Sequence, residues 1–163
     1  MNKNIVFLLL GSNIEPRMNY LREAEKLINQ RLGNAVSASS VYETEAWGYI
    51  SENAYLNKLI SVETTKDAFE TLEILIETEQ FCNRQRTGSD TYSDRTLDAD
   101  IIYFNEEIIN TDKLTIPHPR LQLRRFVLEP LCEIAADFIH PILKFNSLQL
   151  LEKCTDNTKV EKF

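Results

Sequence analysis

Two aspartates two positions apart, Asp98 and Asp100, are the residues of this chain whose placement most demands a chemical reason. They lie in the segment Arg95-Thr96-Leu97-Asp98-Ala99-Asp100-Ile101-Ile102. Side chains alternate along a strand, so the two carboxylates share one face while Leu97, Ala99 and Ile101 take the opposite, core-facing one. Neighbouring carboxylates repel and gain nothing by packing. A hard divalent cation held by both removes that repulsion, and magnesium takes one or two carboxylates and fills its shell with phosphate oxygens. The plainer reading is a strand edge with two solvated acids. Arg95 beside them and an arginine-bearing segment before them weigh against it.

The arginines are themselves unevenly spread. Six of the nine fall between Arg84 and Arg125, where Lys113 is the only lysine. Guanidinium forks grip phosphate or carboxylate oxygens in two-pronged fashion, which an ammonium does not. Glu79 and Arg84 flank the end of a predicted helix, and Arg86 follows. Together with Arg95 they are placed to line a polyphosphate and to offset charge that develops during transfer. Downstream, His118 sits between Pro117 and Pro119, ahead of Arg124-Arg125-Phe126. Tyr55 and Asn57 share a strand face, and the amide of Asn57 suits the edge of a heterocyclic base. Tyr55, Phe126 and Trp47 could supply flat surfaces around such a ring. Gly11-Ser12-Asn13 is a weak phosphate-loop signal that lacks the lysine of a Walker motif.

These residues need elements to hold them. Ile5 to Leu10 is a continuous apolar run closed by Gly11, which reads as a buried strand. Pro16 suits an early helix position, Met18, Leu21, Ala24, Ile28 and Leu32 recur at helical spacing, and Gly33 is a stop. Val36 to Thr44 and Tyr55 to Thr64 read as strands around an aromatic loop, Glu45 to Asn53. Asp67 caps a second helix with Ala68, Leu72, Leu75 and Ile76 on one face. Cys82 to Asp94 is a polar loop and Leu97 to Phe104 a fourth strand. The order β-α-β-β-α-β predicts an α+β, ferredoxin-like sandwich: two helices cover one face of an antiparallel sheet, and the other face is left for a site. A short strand near Glu107 to Ile109, a Pro-His-Pro turn, a helix near Val127 to Ala136 and a charged tail, mobile after about residue 155, complete a C-terminal helical extension.

With 163 residues the chain reads as a single domain, 1–163. Its net charge of −7 and pI near 4.9 disfavour nucleic acid as a partner. No stretch approaches the length of a membrane span. Cys82, Cys132 and Cys154 form no pairing motif and His118 and His140 are the only histidines, so neither a disulfide framework nor a zinc site is expected. A cytoplasmic location follows.

Taken together, Leu10-Gly11-Ser12-Asn13, Tyr55-Leu56-Asn57, Arg95-Thr96-Leu97-Asp98-Ala99-Asp100, Pro117-His118-Pro119-Arg120 and Arg124-Arg125-Phe126-Val127-Leu128-Glu129-Pro130-Leu131 resemble the 6-hydroxymethyl-7,8-dihydropterin pyrophosphokinases of folate biosynthesis, over nearly the whole chain to about residue 141. The resemblance implies transfer of pyrophosphate from ATP, the co-substrate, to the pterin, with AMP as the other product. It implies two Mg2+ ions on Asp98 and Asp100, with Arg84 and Arg95 also catalytic. Glu79, Arg84, Arg86, Tyr92, Arg95, Ile101, Lys113, Thr115, His118 and Arg124 would serve ATP, and Thr44, Trp47, Gly48, Tyr55, Asn57 and Phe126 the pterin. The loops Glu45 to Asn53 and Cys82 to Asp94 resemble loops that close over substrates. Partners would be small-molecule substrates, with no obligate protein partner.

The chain departs from that pattern where Asn83 replaces a glycine, Tyr92 a tryptophan, Ser93-Asp94 a Gly-Pro-like pair and Pro119 a tyrosine. Asp94 is expected to place an extra negative charge near the phosphate path. Two rivals come from other classes: an RNA-binding module of the same topology, which the acidic chain and its paired aspartates oppose, and a regulatory ligand-binding domain without catalysis.

Overall fold

The strand Asn4–Ser12 (β1) is apolar at nearly every position because both of its faces are covered. Val6, Leu8 and Leu10 face one layer of helices, while Phe7 and Leu9 face the other side of the sheet. A computed structural model describes residues 2–84 and 92–163. In chain order the elements after β1 are α1 (Arg17–Arg31), β2 (Gly33–Ala38), β3 (Tyr42–Thr44), β4 (Tyr55–Thr64), α2 (Ala68–Phe81), β5 (Asp98–Phe104), β6 (Ile109–Asn110), β7 (Thr115–Ile116), a 3-10 turn (Leu121–Leu123), α3 (Arg125–Ala135), α4 (Ser147–Lys153) and β8 (Val160–Lys162).

The main sheet runs β5-β1-β4-β3-β8, with β2 also on β4. All of its pairings are antiparallel. This is the expected β-α-β-β-α-β arrangement, with one strand divided. The predicted strand from Val36 to Thr44 becomes β2 and β3, and the break falls at Ser39. There Ser39 N–H donates to Leu59 O (2.8 Å) while Leu59 N–H donates to the Ser39 hydroxyl (2.9 Å), so a side chain takes the place of a backbone acceptor.

Helix α1 buries Leu21, Ala24 and Ile28, as its spacing predicts. Pro16 lies just outside it, and its carbonyl accepts from Asn19 and Tyr20. The helix ends where Gly33 is expected to stop it: Leu32 caps α1, and Gly33, the next residue, opens β2 against β4. A Cβ there would lie 2.0 Å from the Glu63 carbonyl oxygen. Helix α2 starts with a reciprocal cap between Asp67 and Glu70. Its buried stripe is Ala68, Thr71, Leu75, Thr78 and Glu79, displaced from the one read off the apolar residues. Thr71 and Thr78 are tolerated there because their hydroxyls donate to the carbonyls of Asp67 and Ile74.

The second sheet face is not left bare, as the sequence suggests. At one end α3 and α4 cover it, packing Val127, Leu128, Leu131 and Leu150 on Phe7, Leu59, Ile102 and Tyr103. Within the tail beyond 155, Val160–Lys162 forms β8 on the edge of β3, with Thr44 opposite Val160. The short strand expected near Glu107 to Ile109 lies at β6 and pairs with β7, Ile109 opposite Ile116. Among the described residues no helix is long and apolar enough to cross a membrane.

Candidate active site

The uncovered end of that second face is built from three strands in register. Gly11 of β1 lies between Asn57 of β4 and Asp98 of β5, and Leu9 lies between Leu59 and Asp100. Acids therefore stand on one side of the central strand and Tyr55 and Asn57 on the other. Gly11 keeps a gap between them: a Cβ at that position would meet Asn57 Oδ1 at 2.8 Å. Above this floor is a cavity of about 530 Å³. Thr44, Trp47, Tyr55, Asn57 and Phe126, from the expected pterin set, line it. So do Tyr92, Arg95, Asp98, Asp100, His118 and Arg124.

The rest of the predicted set lies elsewhere. Gly48 sits behind the wall at φ +82°, where a Cβ would come within 3.3 Å of the Tyr92 ring. Glu79 and Arg84 stand behind Asp98. The Ile101 side chain packs in the α1–α2 core, on the opposite face from the acids, so it is not brought to the cavity. Lys113 is exposed in the β6–β7 turn and Thr115 lies in β7; neither lines the cavity. Arg86 falls outside the described residues.

The acids differ in their surroundings. Asp98 Oδ1 accepts from Arg84 Nη1 at 3.1 Å and pairs with Arg95 Nη1 at 3.0 Å. Arg84 also pairs with Glu79 at 2.6 Å, and the buried Glu79 carboxylate accepts from Ala99 N–H. Arg84 and Arg95 thus turn inward onto Asp98 in this structure, where the sequence had them lining phosphate. Asp100 has no such partner among the described hydrogen bonds. Burial, then the charges of Asp98 and Glu79, push its carboxyl well above the usual range, and Arg124 and Arg95 only partly counter this. The donor set is two hard oxygen ligands on one face. Among the described residues no cluster of three or more His, Cys, Asp or Glu could hold a metal by itself. That suits magnesium, which takes few protein ligands and completes its shell with phosphate and water.

Opposite the acids, Arg124 is only 9% exposed. Its guanidinium lies 4.5 Å from the Trp47 ring centroid and 5.7 Å from that of Phe126, and its Nη2 donates to the Tyr92 hydroxyl at 3.2 Å. Its Nε and the Asn57 Nδ2 are buried without a hydrogen-bond partner among the described residues. Buried donors normally find partners, so these two point to a ligand with acceptors. His118 is held by its N–H to Ile102 O (3.0 Å), and its Nδ1 accepts from Arg120 N–H (3.2 Å). Burial, then Arg124, push its pKa down to about 4. The imidazole is therefore neutral at pH 7 and carries its proton on Nε2, as a neutral donor.

Leu9, Glu45, Tyr49 and Arg120 line the cavity without having been singled out from sequence, and Gly11, singled out only within a weak phosphate-loop signal, lines it too. Period-2 alternation from Phe7 would have found Leu9 and Gly11. Pro119, from which no stacking role was carried over, also lines the cavity. Asp94 does not lie in the phosphate path: its carboxylate turns toward Asn13 and the 45–53 loop.

The fold and the cavity define a ferredoxin-like enzyme in which paired acids face a buried arginine beside an aromatic slot. Residues 7–136 match the model of the family 7,8-dihydro-6-hydroxymethylpterin-pyrophosphokinase, and the chain belongs to that family. Among its relatives, the 2-amino-4-hydroxy-6-hydroxymethyldihydropteridine pyrophosphokinase of Bacillus subtilis is 43% identical over 133 residues, covering 80% of this chain and 78% of that one. The protein of the same name from Aquifex aeolicus is 33% identical over 139 residues, covering 85% of each chain. Among solved structures, an HPPK-DHPS of Plasmodium falciparum with pterin and p-hydroxybenzoate superposes with a TM-score of 0.76 at 17% identity. It covers 94% of this chain, which spans 42% of the length of that one; at such identity the likeness concerns the fold.

Proposed function

We propose that this protein transfers pyrophosphate from ATP to 6-hydroxymethyl-7,8-dihydropterin, giving AMP and the pterin diphosphate, as a step of folate biosynthesis. The observation that carries the reading is one cavity that joins Asp98 and Asp100 to Arg124 and to a slot with an unpaired Asn57 amide. In this reading Asn57 donates to the heterocycle edge, with Tyr55, Phe126 and Trp47 around the ring and Thr44 at its rim. Arg124, Arg95, Tyr92 and the neutral His118 serve the nucleotide's phosphates, with Arg84 behind them and Lys113, Thr115 and the backbone of Ile101 further out; Arg86 is assigned to the nucleotide by the family resemblance alone.

Asp98 and Asp100 would hold Mg2+, which when bound neutralises phosphate charge and aligns the pterin hydroxyl with the β-phosphorus. The residues' own part is positioning and charge. Asp100, kept protonation-prone by burial, gains most from a nearby cation. Arg95 and Arg84 are close enough to Asp98 to exchange that partner for phosphate oxygens. We take residues 1–163 as one such unit, acting in the cytoplasm on small molecules without an obligate protein partner.

Incubation with ATP, Mg2+ and the hydroxymethyldihydropterin should release AMP in step with pterin diphosphate. Release of ADP, or no turnover, would remove this function.

A further inference from the structure

We propose that Asp94 is a positioning residue: it clasps the 45–53 loop to the end of β1 and so holds the aromatic wall of the cavity in its binding geometry. The inference rests on the function proposed above and concerns a residue that does not itself line the cavity.

The clasp has a buried anchor. Asn13, 2% exposed, follows β1; its N–H donates to Arg95 O (3.1 Å) and its Oδ1 accepts from Arg95 N–H (2.7 Å). This ladder fixes the chain next to Asp94. The Asp94 carboxylate then gathers donors from both sides. Oδ1 accepts from Asn13 Nδ2 (2.8 Å), Ser51 Oγ (2.7 Å) and the Tyr49 hydroxyl (3.1 Å), and Oδ2 accepts from Asn53 Nδ2 (2.8 Å). All of these donors are neutral, and none of the ion pairs of the described residues involves Asp94. Hydrogen bonds to an ionised acceptor are about twice as strong as neutral ones, so one carboxylate can tie three loop residues at once. Those bonds also outweigh burial and hold its carboxyl below the usual range.

The pull reaches the cavity through Tyr49. Its hydroxyl pairs with that of Tyr55 (3.0 Å), and its ring lies parallel to Tyr92 at 6.2 Å. Trp47 stands edge-on to Tyr92 at 6.1 Å and covers Arg124. Release of Asp94 therefore frees Tyr49, then Trp47, and with it the packing of Arg124. An added charge meant for the phosphate path would face the cavity; this one faces the loop.

Trp47 is the only tryptophan of the chain, so its emission reports on this loop alone. Without any ligand, Asp94→Ala should raise the acrylamide quenching constant of Trp47 about twofold or more, as local opening exposes the ring. The far-ultraviolet dichroism should stay unchanged. The KM for the pterin should rise about tenfold, with the KM for ATP changed far less, as expected for lost bonds to a charged acceptor. Asp94→Glu should recover part of both effects. If Asp94→Ala fails to fold, Ser51→Ala with Asn53→Ala removes two of the three loop bonds to Asp94 from the solvent side and should raise quenching in the same direction. Unchanged quenching in the folded variants would overturn the clasp. Increased quenching with an unchanged pterin KM would overturn the positioning role. If the wild-type protein forms no AMP, the proposed function fails, while the substrate-free quenching comparison still decides the clasp.

Discussion

One face of one strand, β1, passes through two environments. At Phe7 it meets Tyr103 edge-on at 6.0 Å and Phe138 at 5.3 Å, beneath α3 and α4. Four residues on, roughly 13 Å along the strand, Gly11 lies between Asn57 and Asp98 in an open cavity. The covered half gains from apolar burial. The open half carries a pair of acids, a carboxyl forced above its usual range and two unpartnered buried donors. The fold therefore does not draw its stability from the half that binds. The C-terminal helices supply a second core on the same face and let the remaining strand ends stay polar.

That division predicts effects that separate by half. The largest should come from Asp98→Ala or Asp100→Ala, with turnover falling about a thousandfold or more as metal and phosphate alignment are lost. Asp100→Asn should leave thermal stability equal to or above that of the wild type, because it removes the cost of burying a carboxylate and its repulsion by Asp98 and Glu79. In the covered half, Leu131→Ala should cost about 2–5 kcal/mol in denaturant unfolding, since Leu131 is fully buried. The KM values of the folded protein should be unaltered; a raised pterin KM would couple halves that this account keeps apart.

Gly11→Ala tests the floor between them. Its Cβ would crowd Asn57, so the pterin KM should rise about tenfold with only a small loss of stability. The smallest effect concerns Glu133, which ties α3 to the sheet edge by accepting from Ser40 N–H (2.8 Å), Ser40 Oγ (2.7 Å) and the Tyr42 hydroxyl (2.5 Å). Burial pushes its carboxyl up, but these bonds prevail and hold it below 4.5. A lowered folded value contributes stability above pH 4.5 that is lost as pH falls through it. Thermal scans should show the wild type losing more of its advantage over Glu133→Gln below pH 4.5 than above it.

Much of this was legible beforehand, for identifiable reasons. The strand β4 and the cap of α2 are legible from residue type and from Asp67, and the placement of Asp98 and Asp100 on one face follows from period 2 alone. The split at Ser39 was not legible, because a hydroxyl standing in for a backbone acceptor leaves no hydrophobic signal. Nor was the stripe of α2, whose threonines and Glu79 are buried by hydrogen bonds that apolar periodicity cannot register. The wall residues Trp47, Tyr55 and Phe126 are legible from residue type and Gly11 from alternation along β1, whereas Tyr49 needs its neighbours in space. Asp94 was read by its charge, and its partners give it a different place.

The most direct measurement is a titration of the protein with Mn2+ by electron paramagnetic resonance, in the presence of a nonhydrolysable ATP analogue and the pterin. The wild type should bind two ions per chain, and Asp98→Asn with Asp100→Asn should lose tight binding of both while remaining folded. Undiminished manganese uptake by that double variant would contradict the assignment of the acid pair.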